Sequence, residues 1–456
     1  MWIPKLDPLK KPLYQALADA LSEAIERQEL VPGTRLPTHR ALAHALKLTV
    51  GTVTRAYAEA ERRGLISAQV GRGTYVLDTQ TSFQHLSQTP SPLDFSLSLP
   101  IPNPQSALWL QQSLLKLSQQ GVQNLLEYQN EQGLLAHRQQ ISHSLQAWGL
   151  PIQAERLLIC QGGQHAIALA LQSVAHAGDV ICSSALTYPG MIAAARQLGL
   201  KHQGLAFDQQ GLIPQAFERQ CQHQRPRALY LIPNQDNPTC TCLPLERREA
   251  IVQIAREYQV WLLEDDVQLN PSEQRLPSLL ELAPERTLHI SSFSKLVAGG
   301  LRVGMLQVPE SLLPHARANL KAQCWMVSPL APALICQGLA DASLLPLIEQ
   351  QRQEIQARQV LVQNYLGRWQ VRAQPWGFNV WLPLPEPWRA SQFVDSCRRA
   401  GLEVKSAEPF AVGSYPAPQS IRFCISAPAQ REQVEQGLEI LVHLLEQGCL
   451  PHVQTL

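Results

Sequence analysis

The stretch SSFSKLVAGGLRVGM, residues 291–305, decides the fold. It stands between the apolar run TLHI and the run VGMLQV that begins at Val303, and it carries three serines, Lys295, a glycine pair and Arg302. Short apolar runs bounded by turn residues read as strands buried on both faces, so the segment is strand, polar loop, strand. Outward from it the same kind of run recurs as RLLIC, DVICS, ALYLIP and VWLLED, with helical patterns between them from about residue 106. That alternation predicts a mostly parallel α/β sheet, in which ligands lie beyond the carboxyl ends of the strands. The residues just after each run are therefore the ones to inspect.

Four strand ends carry chemistry. RLLIC is followed by Gln161-Gly162-Gly163-Gln164 and a helical pattern, so bare amides at a helix N-terminus are available to a phosphate. DVICS leads to Leu186-Thr187-Tyr188-Pro189-Gly190, which puts an aromatic face at the same rim. VWLLE ends in Asp265 and Asp266, of which Asp266 reads as a solvated neighbour, and TLHI ends in the serines around Lys295. An amine, a carboxylate and phosphate donors are the groups that pyridoxal 5′-phosphate needs.

These residues also carry a resemblance. SSFSKLVAGGLRVGM is similar to the Schiff-base segment of fold type I aminotransferases, PNQDNPTC to their Pro-Asn-x-x-Asn-Pro-Thr-Gly stretch, and LLEDD to their pyridinium-binding strand. LEYQNEQGLLAHR resembles the tyrosine segment that reaches a partner subunit, and SIRFCIS the carboxylate-binding arginine strand. The similarity runs from about residue 95 to 445. It implies that Lys295 is the Schiff-base lysine, that Asp265 faces the pyridinium nitrogen, that Tyr188 stacks on the ring and that Asn237 donates to O3′. Gly163, Gln164, Ser292, Ser294 and Arg302 would hold the phosphate with Tyr128 of a neighbouring copy, and Arg422 would take an effector's carboxylate. Two positions depart from the pattern: Val267 stands where a tyrosine supplies a second O3′ donor, and Cys240 replaces the glycine. Both speak against tuned aminotransferase chemistry.

Upstream of the α/β pattern the signals are helical. Leu13, Leu17, Leu21 and Ile25 recur at i+4 and draw one stripe, which the Val31-Pro32-Gly33-Thr34 turn ends. Thr38 is placed to cap a helix through Leu46, and Thr49 to cap one reaching about Arg63. The runs LIS and TYVL then flank QVGRG as a hairpin. Periodicity alone is met equally by a small helical bundle. The segments PLYQALADALSEAI, LVPGTRLPTHRALAHAL, TVTRAYAEAERRGLI and GRGTYV, however, resemble the winged helix-turn-helix of GntR-type bacterial regulators. That resemblance implies backbone contacts from Arg35 and Arg40, a recognition helix entering the major groove with Thr49, Val50, Thr52 and Arg55, and Arg72 on the wing. Val50 replaces a frequent arginine; it can touch a thymine methyl but cannot read a guanine edge.

Composition agrees with several folded domains. The chain has 456 residues, only 16% of them charged, which excludes an acidic solvating tail or a chain too polar to fold. Residues 1–78 hold eleven Lys/Arg against eight Asp/Glu, while the rest hold 27 against 29, so the basic part is the N-terminal one. The ten cysteines show no C-x2-C spacing and read as core or incidental residues, with no metal expected. No secretory signal is visible, and the apolar stretch from Trp325 to Leu347 is broken by prolines, so a cytoplasmic protein without a membrane span is expected.

The expected organisation is a multidomain α/β chain. Residues 1–78 would be the winged helix-turn-helix, 79–105 a Ser/Thr/Gln/Pro-rich linker, 106–340 a mostly parallel large domain with the cofactor site, and 341–456 a smaller α+β domain. This arrangement resembles MocR-type transcriptional regulators. It implies double-stranded DNA as a partner, a homodimer, and a body that senses an amino compound or pyridoxal 5′-phosphate itself. A working aminotransferase with an appended DNA-binding domain is the alternative, and a body that has lost the cofactor and only dimerises is a third.

Overall fold

A computed structural model describes residues 2–4, 12–27, 29–31, 33–63, 65–69, 73–76, 93–269 and 275–448. Arg72 lies outside the described residues. In the N-terminal part, α1 (Leu13–Glu26), α2 (His39–Leu46) and α3 (Val50–Arg62) precede an antiparallel hairpin of β1 (Ile66–Gln69) and β2 (Gly73–Val76). Thr38 accepts from the Ala41 amide at 3.3 Å and Thr49 from the Thr52 amide at 3.1 Å, so each cap satisfies a helix donor that has no intrahelical partner. Leu17 and Leu21 of α1 meet Val53, Ala56, Tyr57 and Ala60 of α3 in one buried core. The i+4 stripe is thus a helix–helix seam.

The body is built on a seven-stranded sheet. Its strands are β3 (Leu157–Gln161), β4 (Val180–Ser184), β5 (Lys201–Leu205), β6 (Ala228–Leu231), β7 (Trp261–Asp265), β8 (Thr287–Ser292) and β9 (Val303–Gln307), in the spatial order 3-9-8-7-6-4-5. β9 runs antiparallel to both neighbours and the others run one way. Helices cover both faces: Leu158 and Cys160 turn into one apolar cluster, Leu157 and Ile159 into another, as the strand period of two requires. β5, sequence KHQGL, has no apolar run because it is an edge strand with partly exposed faces.

A second, four-stranded antiparallel sheet holds β10 (Arg372–Ala373), β11 (Asn379–Pro383), β12 (Lys405–Ser406) and β13 (Ser420–Cys424) in the order 10-11-13-12. The segment from Leu93 joins its core. Phe95 is fully buried against Phe423, its amide bonds the Glu403 carbonyl at 2.9 Å, and Gly437 leaves the room that a Cβ would take from its ring. Helix Pro104–Gln119 starts inside the stretch expected to be linker: Asn103 caps the Gln105 amide at 2.9 Å and Pro104 stands at its first turn, a start signal that the Ser/Pro-rich composition hides. Among the described residues no single helix is long and apolar enough to cross a membrane, and no group of three or more His, Cys, Asp or Glu is arranged to hold a metal ion.

Candidate cofactor cavity and nucleic-acid interface

The carboxyl ends of β3, β6, β7 and β8 open onto one cavity of about 810 Å³. Gly163, Gln164, Tyr188, Asn237, Asp265, Ser292, Ser294, Lys295 and Arg302 all line it, although they come from well-separated stretches of the chain. One end is an anion cradle. Helix Gly162–Val174, called α4, points its N-terminus there, and Arg302 is hung between the Gln161 carbonyl at 3.2 Å and the Ser294 hydroxyl at 3.4 Å. Gly162 has φ +76°, and a Cβ on it would collide with the Arg302 guanidinium, so the cradle closes only over glycine. The Ser292 hydroxyl donates to the Val303 carbonyl at 3.1 Å and accepts from the Ser294 amide at 3.0 Å, so it shapes the loop. Gln164 holds the Gly190 carbonyl at 2.8 Å beside Tyr188, with its Oε1 buried and unpaired among the described residues.

The other end is acidic. Burial raises Asp265 to about 6, while the Tyr230 hydroxyl, 2.5 Å from Oδ2, and the Val267 amide, 3.2 Å from Oδ1, pull it back. Asp266 is not solvated as expected: it is 3% exposed. Asn234 donates to it at 2.9 Å, Arg275 and His289 lie 3.5 and 3.6 Å from it, and these partners outweigh burial and lower its pKa. Asp265 is the carboxylate left with fewer partners, and it faces the cavity.

Lys295 lies between the two ends. Burial is the main cause that lowers its ammonium to about 8; Arg422 and Arg302 add to this, against Cys424 and Asp265. Its Nζ donates to the carbonyl of Ser98, and Gln351 clamps the Lys295 carbonyl at 2.5 Å. Ser98, Leu99 and Pro100 form a cavity wall from the segment that leads back toward the N-terminal domain. Asn237 presents a buried Oδ1 that is unpaired among the described residues, and Val267 fills space beside Gly163, where a Cβ would come within 2.8 Å of it. Cys240 adopts φ +58°, which is why the motif position favours glycine; the thiol is buried against Leu186, Trp381 and Phe410.

Arg422 does not line the cavity wall; it lies behind it on β13, buried, 5.1 Å from the Phe410 ring centre and bonded to the Cys424 thiol. Its Nε is unpaired and no carboxylate among the described residues forms an ion pair with it. Tyr128 is apart from the cavity, 86% exposed, with its ring against Trp325. Tyr230, Ser98 and the Asn234–Arg275–His289 partners of Asp266 escaped sequence reasoning. A phenol inside the aliphatic run ALYLIP was the one available signal, since a buried tyrosine hydroxyl needs a partner.

On the N-terminal domain, Arg35, Arg40, Thr49 and Arg55 are exposed or half-exposed, and Val50 is 46% exposed at the first turn of α3. Thr52 is half-buried, its hydroxyl 2.9 Å from that of Thr49, so it locks the cap. Arg35 packs on the wing, where a Cβ at Gly73 would stand 2.8 Å from its Nε.

Residues 104–441 match the family described as aminotransferase class I and II, and residues 13–76 match the bacterial regulatory proteins of the gntR family. An uncharacterized HTH-type transcriptional regulator of Bacillus subtilis, YdeF, is 31% identical over 448 residues, covering 98% of this chain and 97% of the relative. The HTH-type pyridoxine biosynthesis transcriptional regulator PdxR of Corynebacterium glutamicum is 26% identical, covering 77% of this chain and 78% of its own. Among solved structures, the α-aminoadipate aminotransferase LysN of Thermus thermophilus superposes with a TM-score of 0.70 at 24% identity, over 78% of this chain and 92% of that one.

Proposed function

From a chain that belongs to the aminotransferase class I and II family and carries a GntR-family domain ahead of it, we propose a pyridoxal-phosphate-dependent transcriptional regulator of MocR type, whose body senses an amino compound or the cofactor itself. The observation that carries the reading is the joining, in one chain, of a capped helix-turn-helix with outward-facing arginines to a cavity holding Lys295, an anion cradle and a facing carboxylate. The residues fit pyridoxal 5′-phosphate: glycines leave the cradle open, and the charge runs from the Arg302 guanidinium at one end of the cavity to the Asp265 carboxylate at the other. When bound, the cofactor supplies an aldehyde that condenses with amines and a ring that draws electrons.

The chain's own residues then have distinct tasks. Gly163, Gln164, Ser292, Ser294 and Arg302 hold the phosphate with the α4 N-terminus, Asp265 faces the ring nitrogen, Tyr188 covers the ring, and Asn237 contacts O3′. Lys295, with its depressed basicity, offers a neutral amine at lower pH than an ordinary lysine does. Arg422 is a buried cation that awaits an effector's carboxylate. Because Lys295 now bonds Ser98, replacement of that bond on ligation acts on the segment that leads back to the DNA-binding domain. Arg35, Arg40, Arg55 and Arg72 serve the DNA with Thr49, Val50 and Thr52. Exposed Leu115, Leu126, Tyr128 and Trp325 support a homodimer in which Tyr128 completes the neighbour's phosphate site, and a cytoplasmic location follows from the DNA partner.

The test is a mobility-shift titration of the purified full chain on DNA upstream of its own gene, with and without pyridoxal 5′-phosphate and a panel of amino acids. Cofactor absorption and a changed shift are expected. Steady-state turnover of amino donors without any effect on DNA binding would favour the aminotransferase reading.

A further inference from the structure

Tyr230 stands in the middle of β6, 1% exposed, next to the β7 strand that ends in Asp265. Its hydroxyl donates to Asp265 Oδ2 at 2.5 Å, and the Val267 amide donates to Oδ1 at 3.2 Å. Burial, with Asp265 adding to it, holds the phenol well above the ordinary tyrosine range. The other charged or titratable groups that face Asp265 are Asp266 beside it on the same strand end, His289 on β8, Tyr188 and Lys295. Asp266 and His289 are engaged with each other, and Asn234 and Arg275 hold the same carboxylate.

We propose that Tyr230 is a positioning residue for the cofactor's ring nitrogen, keeping the Asp265 carboxylate ionised and in one orientation so that it faces a protonated nitrogen without taking its proton. The role rests on the pyridoxal-phosphate reading above. A hydrogen bond to a carboxylate favours its ionised form, so loss of the phenol makes Asp265 a stronger base and leaves it held by the Val267 amide on one oxygen. A phenol that only fills space in the strand would instead affect stability and leave the carboxylate's titration where it was.

The experiment loads the full wild-type chain and Tyr230→Phe with pyridoxal 5′-phosphate and follows cofactor retained as the pH is lowered, with thermal unfolding of each measured alongside. The half-release pH of Tyr230→Phe is expected to lie about one unit above that of the wild type. An unchanged midpoint in a normally loaded variant overturns the role, whatever happens to its melting temperature. Should Tyr230→Phe fail to fold, 3-fluorotyrosine incorporated at position 230 alone, a stronger donor of nearly the same shape, must lower the midpoint; no movement overturns the proposal. A wild-type chain that takes up no cofactor overturns the reading of the cavity, and this role with it.

Discussion

Lys295 is an amine in a place that disfavours its charge. Burial, with Arg422 and Arg302 nearby, brings its pKa down to about 8, so the neutral form is already abundant where an ordinary lysine is almost wholly protonated. The rate of cofactor capture by the cofactor-free chain should therefore rise with a midpoint near pH 8 and level off above it. The check is borohydride-fixed incorporation measured across pH, and a midpoint near that of free lysine would contradict it. Lys295→Ala should abolish the fixed adduct while the chain still folds; an adduct retained on another lysine would move the assignment. The lysine and its serines were legible because their types are improbable after a buried strand. Asp266 was misread because nothing in EDD tells which carboxylate will be boxed in by Arg275 and His289 from other strands and loops.

At the scale of elements, the β3–α4 junction and the recognition helix carry the next expectations. Gly162 holds φ +76° against Arg302, so Gly162→Ala combines a left-handed strain of about 1–2 kcal/mol with a displaced guanidinium. Cofactor affinity should fall at least tenfold, as read by equilibrium dialysis, with a smaller loss of melting temperature; equal affinity would place the phosphate elsewhere. In the N-terminal domain, Thr49→Ala removes a cap that the Thr52 amide needs and should destabilise that domain by about 1 kcal/mol in denaturant unfolding. Arg40→Ala should weaken DNA binding on all sequences alike and reduce the slope of log affinity against log salt by about one. Both caps were readable because a threonine before an apolar stripe has a local physical cause. β5 was not, since an edge strand needs no apolar run.

For the whole molecule, the proposed homodimer can be tested on the exposed apolar surface. Leu126 and Tyr128 are 83% and 86% exposed, and Tyr128 is apart from its own cavity. Leu126→Asp should shift the chain toward monomer in sedimentation and weaken cofactor retention in parallel, because a neighbouring Tyr128 is then withdrawn. A dimer that persists with full retention would assign the interface to another face. The segment 93–103 matters at this scale as well: it enters the second sheet through Phe95 and walls the cavity through Ser98, whose carbonyl accepts from Lys295.

The alternation of buried strands with helices, the strand ends that carry chemistry and the helix caps of the N-terminal part were present in the sequence, since period, caps and turn residues act over a few positions. The roles of Tyr230, Ser98 and Asp266, and the seclusion of Arg422 beside Phe410, came from the folded chain. They depend on residues as far as 197 positions apart being buried side by side, where pKa values and hydrogen-bond partners are set by neighbours that no local pattern encodes.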